Sequence, residues 1–314
     1  AARGAILRRH GWDPDSDGLF GAPPLTVYLG DDAHTSVFSA LGYLGLGRNR
    51  VQRIRTDREG RMIAGDLARR IGSTAGPAIV IAQAGQINTG AFDPFSDIVD
   101  ISRTVGAWLH VDGAFGLWAA SSERYRHLVK GIEKADSWAT DAHKWLNVPY
   151  DSGIAFVADP ESHRTAMTIP AAYKIEVENV RDQIEWGPEW SRRARGIPLY
   201  AALRSLGRNG VAEIIERCCD LTRELVSRLG SLPGVEVLSE PIINQGLVRF
   251  LDPAGDHDAR TDDVIERINA GGEAWFGPTT WNGMRVMRVS LSNYQTTPQD
   301  IDRTVAAVEK ALGH

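Results

Sequence analysis

Short apolar runs alternate with segments of helical period along the first half of the chain. Leu25–Leu29, Val51–Ile54, Ala78–Ala82 (AIVIA), Ala107–Val111 (AWLHV), Ser137–Thr140 and Gly153–Val157 (GIAFV) read as strands. The continuous apolar runs among them suit strands buried on both faces. Between them, His34–Leu44 (ending near Gly45 and Gly47), Gly65–Ile71 and Phe95–Val105 read as helices. Strands alternating with helices predict an α/β fold, a mostly parallel sheet flanked by helices. After Pro198 the pattern changes. Helices are expected over Pro198–Leu206, Val211–Leu229 and about Thr261–Ala270, and strands over Val235–Leu238, Gly246–Leu251, Ala274–Phe276 and Met284–Leu291. A last helix opens at Thr297-Pro298, an N-cap followed by Pro at the first helical position, with Ile301, Val305, Val308 and Leu312 on one face. The expected division is a large domain over 1–208, incomplete at its N-terminus, and a small α+β domain over 209–314.

Composition narrows the class. A chain of 314 residues, 43% hydrophobic and 24% charged, is an ordinary globular chain with room for two domains. No window approaches 18 consecutive apolar residues, so no membrane span is expected. A net charge of −5 without a Lys/Arg run argues against a nucleic-acid partner. Cys218 and Cys219 are adjacent within a helical pattern, which suits a reducing compartment, and with no apolar signal region the expected location is the cytoplasm. The opening Ala1-Ala2-Arg3-Gly4-Ala5-Ile6-Leu7 already reads as mid-helix, with no N-cap ahead of it.

In open parallel sheets ligands bind beyond the carboxyl ends of strands, so polar residues there are the first candidates. Asp112 ends the run Ala107–Val111 and is followed by the small residues Gly113 and Ala114. Lys144 follows the strand Ser137–Thr140, in Thr140-Asp141-Ala142-His143-Lys144-Trp145. The two are about one strand–helix–strand unit apart, so both side chains are expected at one crevice. The plain explanation is a structural ion pair at a sheet edge. The functional one is a pyridoxal phosphate site, in which a lysine holds the aldehyde as a Schiff base and a carboxylate keeps the pyridine nitrogen protonated. A metal site built from His110, Asp112 and His143 is a remoter alternative, since the third ligand must come from across the sheet.

The surrounding residues single out one of these. His110-Val111-Asp112-Gly113-Ala114-Phe115-Gly116 and Asp141-Ala142-His143-Lys144-Trp145-Leu146-Asn147 resemble the pyridoxal-phosphate-dependent group II amino acid decarboxylases. That family contains aromatic amino acid, glutamate and cysteine sulfinate decarboxylases and has the aspartate aminotransferase type fold, fold type I. The resemblance extends to Asp32-Ala33-His34-Thr35-Ser36-Val37, Gly60-Arg61-Met62, Gly85–Asp93 (GQINTGAFD) and Ser191-Arg192-Arg193. It implies that Lys144 is the Schiff-base lysine with His143 as its active-site neighbour, and that Asp112 pairs with the pyridinium nitrogen. It also places Ala114 under one face of the ring and His34 on the other. His34 has a plainer reading as a helix-start histidine satisfied by backbone. Tyr173, in Pro170-Ala171-Ala172-Tyr173-Lys174, is implied to lie on a mobile loop and to return a proton to the carbon that has lost carbon dioxide. Relatives that make aldehydes oxidatively typically carry Phe there, so Tyr favours decarboxylation; its plainer reading is an exposed loop aromatic.

Two departures stand near the cofactor. Gln86 replaces the family's usual Thr after the glycine, and its amide is expected to hydrogen-bond the ring substituents. Asp141-Ala142 replaces the common Asn-Pro, adding negative charge beside the lysine and favouring a protonated Schiff base. Upstream, the family's dimer-forming segment and phosphate-binding loop are not found in this sequence, which is expected to be a fragment or one of two chains. The resulting expectation is a homodimeric enzyme that decarboxylates an L-amino acid, weakly favouring an aromatic or bulky side chain, to the amine and carbon dioxide. Its rivals are an aminotransferase or oxidative deaminase on the same cofactor, and a non-catalytic relative acting in assembly.

Overall fold

A computed structural model describes residues 1–168 and 181–313. The apolar runs of the first half form β1 (Thr26–Gly30), β2 (Gln52–Ile54), β3 (Ala78–Gln83), β4 (Trp108–Asp112), β5 (Ser137–Asp141) and β6 (Gly153–Val157), assembled in the order β2-β1-β3-β4-β5-β6. Every pairing is parallel except β5 with β6, which is antiparallel. Helices α1 (Ala2–Arg9) and α2 (Pro14–Asp17) precede the sheet. Between its strands run α3 (Thr35–Tyr43), α4 (Ala64–Ile71) and α5 (Phe95–Thr104), and α6 (Pro160–Met167) follows β6. The unbroken apolar character of β3 has a direct cause. Ala78, Val80 and Ala82 pack into the core on one face of the sheet, while Ile79 and Ile81 pack with Leu29, Trp108 and α1 on the other. Both faces are covered from Ala78 to Ala82, and the first polar side chain, Gln83, comes only at the strand's carboxyl end.

The chain runs from β1 outward to β2, then returns past β1 to β3. Strand order therefore reverses between β1 and β3, and the carboxyl ends of these strands part into a crevice. Gly30, Asp32, Gln83, Asp93 and Asp112 line it, with Gly60 at its edge.

The second half begins with α7 (Gly196–Gly230), the two expected helices joined in one element whose helical backbone breaks at Gly207, at φ 60° and ψ −174°. Past that break α7 serves two cores: Val211, Ile214, Ile215, Cys218 and Cys219 pack under the large sheet, whereas Leu221, Leu225, Val226 and Leu229 pack under the small one. The small sheet comprises β7 (Val235–Ser239), β8 (Gln245–Phe250), β9 (Gly277–Trp281) and β10 (Met284–Ser290), antiparallel in the order β7-β8-β10-β9, with α8 (His257–Gly271) inserted after β8. Helix α9 (Pro298–Leu312) starts as its sequence predicts, with Thr297 and Asp300 closing a capping box and Ile301, Val305 and Val308 buried. One expected strand is displaced: Ala274–Phe276 is an irregular link, and the strand begins at Gly277. Asn269 at the end of α8 explains it, since its Nδ2 donates to Phe276 O (3.0 Å) and its Oδ1 accepts from Phe276 N (2.8 Å). Those bonds occupy the backbone groups a ladder would use. The turn Asn282-Gly283, with both residues at positive φ, then fixes the β9–β10 register. Among the described residues no helix is long and apolar enough to cross a membrane.

Candidate active site

The residues singled out from the sequence and described here converge on one end of the large sheet. His34 follows β1, Gln86 follows β3, Asp112 ends β4 with Ala114 just beyond it, and Asp141, His143 and Lys144 lie at and beyond the end of β5. These four strands are consecutive neighbours, so the side chains are arrayed along one rim. Tyr173 lies outside the described residues.

Pairing between β4 and β5 continues past the strands and locks the central pair. Gly113 N donates to Ala139 O (2.9 Å), and Asp141 N donates to Ala114 O (2.9 Å). Trp118 Nε1 adds a bond to Asp141 O (3.0 Å), fixing the backbone from which the Asp141 carboxylate projects. On the other side Ala84 N donates to Asp112 O (2.8 Å). Gly85, at φ 89°, turns the chain there against the Phe115 ring; a Cβ at this position would lie 2.9 Å from that ring.

Asp112 Oδ1 accepts the Ala114 N–H at 3.2 Å, and among the described residues no lysine or arginine is paired with this carboxylate. The structural ion pair with Lys144 is therefore not the arrangement found. Lys144 Nζ instead lies 3.0 Å from Asp141 Oδ2, and 5.9 Å from the centre of the Phe115 ring. His143 Nδ1 accepts the Ser152 N–H at 3.0 Å, which leaves the ring proton on Nε2, 3.6 Å from the same Asp141 oxygen. Tyr150 stacks on the His143 ring at 4.2 Å. Two acidic side chains thus differ in their surroundings: Asp141 lies beside the lysine and histidine, and Asp112 lines the crevice with no lysine or arginine paired to it among the described residues.

Two further candidates are held by local hydrogen bonds. The Gln86 side chain is buried and its Oε1 accepts from the backbone of Asn88 (2.5 Å) and Thr89 (3.1 Å), shaping its own turn. His34 is the N-cap of α3, its Nδ1 bonded to Ser36 N (3.3 Å) and Ser36 Oγ (2.7 Å). His110 turns away from the rim, its Nδ1 2.8 Å from Ser137 Oγ, and burial lowers its pKa. Among the described residues no cluster of His, Cys, Asp or Glu is placed to hold a metal.

Two residues that sequence reasoning passed over belong to the same region. Asp93 is buried, accepts the N–H groups of Met62 and Gln83 at 2.7 Å each, and is pushed up to about 6 by desolvation. Arg288 on β10 alternates with Met287 and Val289, which enter the helix-covered core. It therefore shares the other face with Val286, which packs with Leu247 and Trp281. Trp281 in turn abuts Gly60 at the crevice edge. Arg288 is partly buried, desolvation lowers its pKa, and among the described residues it has no carboxylate partner. The sequence did carry a signal: in Met284–Leu291 apolar residues fall on both faces, so neither arginine can sit on a purely solvated one, and only Arg285 finds an acid, Asp262 at 2.7 Å.

A mostly parallel α/β sheet with a lysine and a carboxylate at adjacent strand ends is an arrangement that a pyridoxal phosphate site would use. The chain belongs to the pyridoxal-dependent decarboxylase family, whose conserved domain matches residues 12–251. Over 246 residues it is 33% identical to the acidic amino acid decarboxylase GADL1 of Xenopus tropicalis, covering 75% of this chain and 48% of that one. It is 30% identical over 261 residues to human cysteine sulfinic acid decarboxylase (80% and 53% covered), and 29% over 290 residues to the aromatic-L-amino-acid decarboxylase of Bacillus atrophaeus (88% and 60%). Among solved structures it matches mouse CSAD in its apo form with a TM-score of 0.89 at 27% identity, over 98% of this chain and 68% of that one. The match to the fold of Oryza sativa TDC with PLP and tryptamine has a TM-score of 0.90 at 24% identity, over 99% and 66%. The chain spans about half the length of the curated relatives it matches.

Proposed function

We propose that this chain carries the lysine half of an active site that decarboxylates an L-amino acid to its amine, using pyridoxal 5'-phosphate. The observation that carries the proposal is the Asp112 carboxylate, which lines the crevice one strand away from Lys144 and among the described residues has no lysine or arginine paired with it. Asp112 would pair with a protonated ring nitrogen of the cofactor. When bound, the cofactor withdraws electrons from the carbon that loses carbon dioxide.

The chain's own residues do the rest. Lys144 Nζ provides the amine that holds the cofactor's aldehyde carbon, and the Asp141 carboxylate holds the proton that this nitrogen carries. His143, its Nδ1 accepting from Ser152 N, places Nε2–H 3.6 Å from the same carboxylate oxygen, near enough to orient it by dipole attraction. Asp112 keeps the ring nitrogen protonated. Ala114, small enough to admit a flat ring, and His34 would hold the ring between them, and Gln86 shapes the adjoining turn. Arg288 presents a desolvated guanidinium suited to an amino acid's carboxylate, and Tyr173 returns a proton to the reacting carbon. The working form is a cytoplasmic homodimer.

The test is an absorption spectrum of the chain with added pyridoxal 5'-phosphate, before and after borohydride reduction, beside Lys144→Ala. The expected result is a band that reduction converts to a covalent adduct only when Lys144 is present. Product analysis then follows with aromatic, acidic and sulfinate L-amino acids, the aromatic or bulky class being the first expectation. Amine with carbon dioxide supports decarboxylation, whereas keto acid, or aldehyde with ammonia, replaces it with transamination or oxidative deamination. Absence of a Lys144-dependent adduct overturns the site.

A further inference from the structure

The turn that carries Lys144 is tied to the segment just beyond the small sheet by the side chain of Asn147. Asn147 N donates to Lys144 O (3.2 Å), closing a four-residue turn with the lysine at its first position. Asn147 itself sits at φ 53°, in the left-handed region that asparagine tolerates better than most residues. From there its Nδ2 donates to two carbonyls at once, Trp145 O at 2.7 Å within the turn and Ser292 O at 2.7 Å just beyond the end of β10. The segment it reaches is anchored elsewhere. Asn244 Nδ2 donates to Leu291 O (2.7 Å), and Arg217 donates to Tyr294 O and Thr296 O, each at 2.8 Å. Ser292 O is therefore a fixed point of the small unit. On one side of the Asn147–Ser292 bond the lysine lies three residues upstream, and on the other Arg288 lies four residues upstream.

We propose that Asn147 is a positioning residue that sets the separation between the Lys144 amine and the Arg288 guanidinium, and hence the length over which an amino acid is held by both. The inference rests on the roles given above to Lys144 and Arg288. Both donors of one amide are committed, so the substitutions separate cleanly. Asn147→Gly keeps the left-handed turn at no steric cost and removes the tie. Asn147→Asp keeps the shape but turns an oxygen toward two carbonyl oxygens, replacing two attractions by repulsion.

The experiment compares the two variants with the unaltered chain by KM and kcat for the amino acid found active, by yield of the borohydride-trapped adduct, and by hydrogen exchange of the amides in 291–297. Asn147→Gly is expected to raise KM about tenfold with kcat and adduct yield nearly unchanged, and to speed exchange in 291–297 about tenfold; Asn147→Asp moves both further. A KM and an exchange rate within twofold of the unaltered chain in Asn147→Gly overturn the proposal. Loss of the adduct in that variant also overturns it, since the defect then lies at the lysine. Should the unaltered chain decarboxylate nothing, the functional reading fails separately and exchange alone decides the tie: faster exchange in Asn147→Gly supports it and unchanged exchange removes it.

Discussion

Asp93 offers a test in which the size of the effect changes with pH. Its carboxylate is 7% exposed and ties the segment before α4 to the end of β3 through the N–H groups of Met62 and Gln83. Desolvation outweighs those two bonds and moves the group from 3.8 to about 6. A folded-state value above the unfolded one means that the folded protein prefers the proton. The stabilisation is complete below the unfolded value and is lost as pH rises through the folded value, by about 3 kcal/mol in all. Between pH 4.5 and pH 8 the change amounts to about 2 kcal/mol, because at pH 4.5 the unfolded carboxyl is already largely ionised. An amide in its place would not titrate, but its NH₂ must face one of the two backbone N–H groups, a loss of about 1–3 kcal/mol at every pH. Asp93→Asn is therefore expected to be clearly less stable than the unaltered chain at pH 4.5 and to approach or match it at pH 8. Urea unfolding of both proteins across that range, read as the difference in unfolding free energy at each pH, cancels titrations common to both. A flat difference, or one that widens toward pH 8, refutes the argument that burial and not hydrogen bonding governs this group.

Two further substitutions probe the site. Arg288→Gln removes the charge while keeping a donor, and should raise KM for the amino acid by about 10- to 100-fold, the worth of a charge-assisted bond, with the Lys144 adduct still trapped by borohydride; an unchanged KM excludes Arg288 as the carboxylate anchor. Gly116→Ala adds a Cβ that would lie 2.2 Å from Ala84 O and 2.8 Å from Gly85 N. Both are backbone atoms beside the crevice, so a destabilisation of about 1–3 kcal/mol or more is expected in thermal or urea unfolding, and a neutral result would show that the β3 end yields more readily than its packing indicates.

The elements most legible in the sequence were those whose environment is one-sided or fully closed. Ala78–Ala82 and Ala107–Val111 declared themselves because both faces of the large sheet are covered, and Thr297-Pro298 because a capping box is a local device. The strand expected at Ala274–Phe276 failed for the opposite reason: a side chain seven residues upstream, Asn269, claimed the backbone of Phe276. At the site, Asp112 and Lys144 were visible as polar residues ending apolar runs. What periodicity could not show was which carboxylate meets the lysine. That was decided by the continued β4–β5 pairing, which directs Asp141 to Lys144. Arg288 stayed hidden because its strand alternates imperfectly and belongs to the other sheet.

Helix α7 behaves as a common spar. Between Val211 and Leu229 successive turns are clamped first under one sheet and then under the other, so the two hydrophobic cores share a single rigid body. A cut just before it would strip the larger core of Val211, Ile214, Ile215, Cys218 and Cys219, and a cut after them would take the first layer from the smaller. Neither half owns the helix. Melting of one unit would expose helix surface buried against the other, so the lysine-bearing rim and the arginine-bearing sheet are expected to unfold in one cooperative transition.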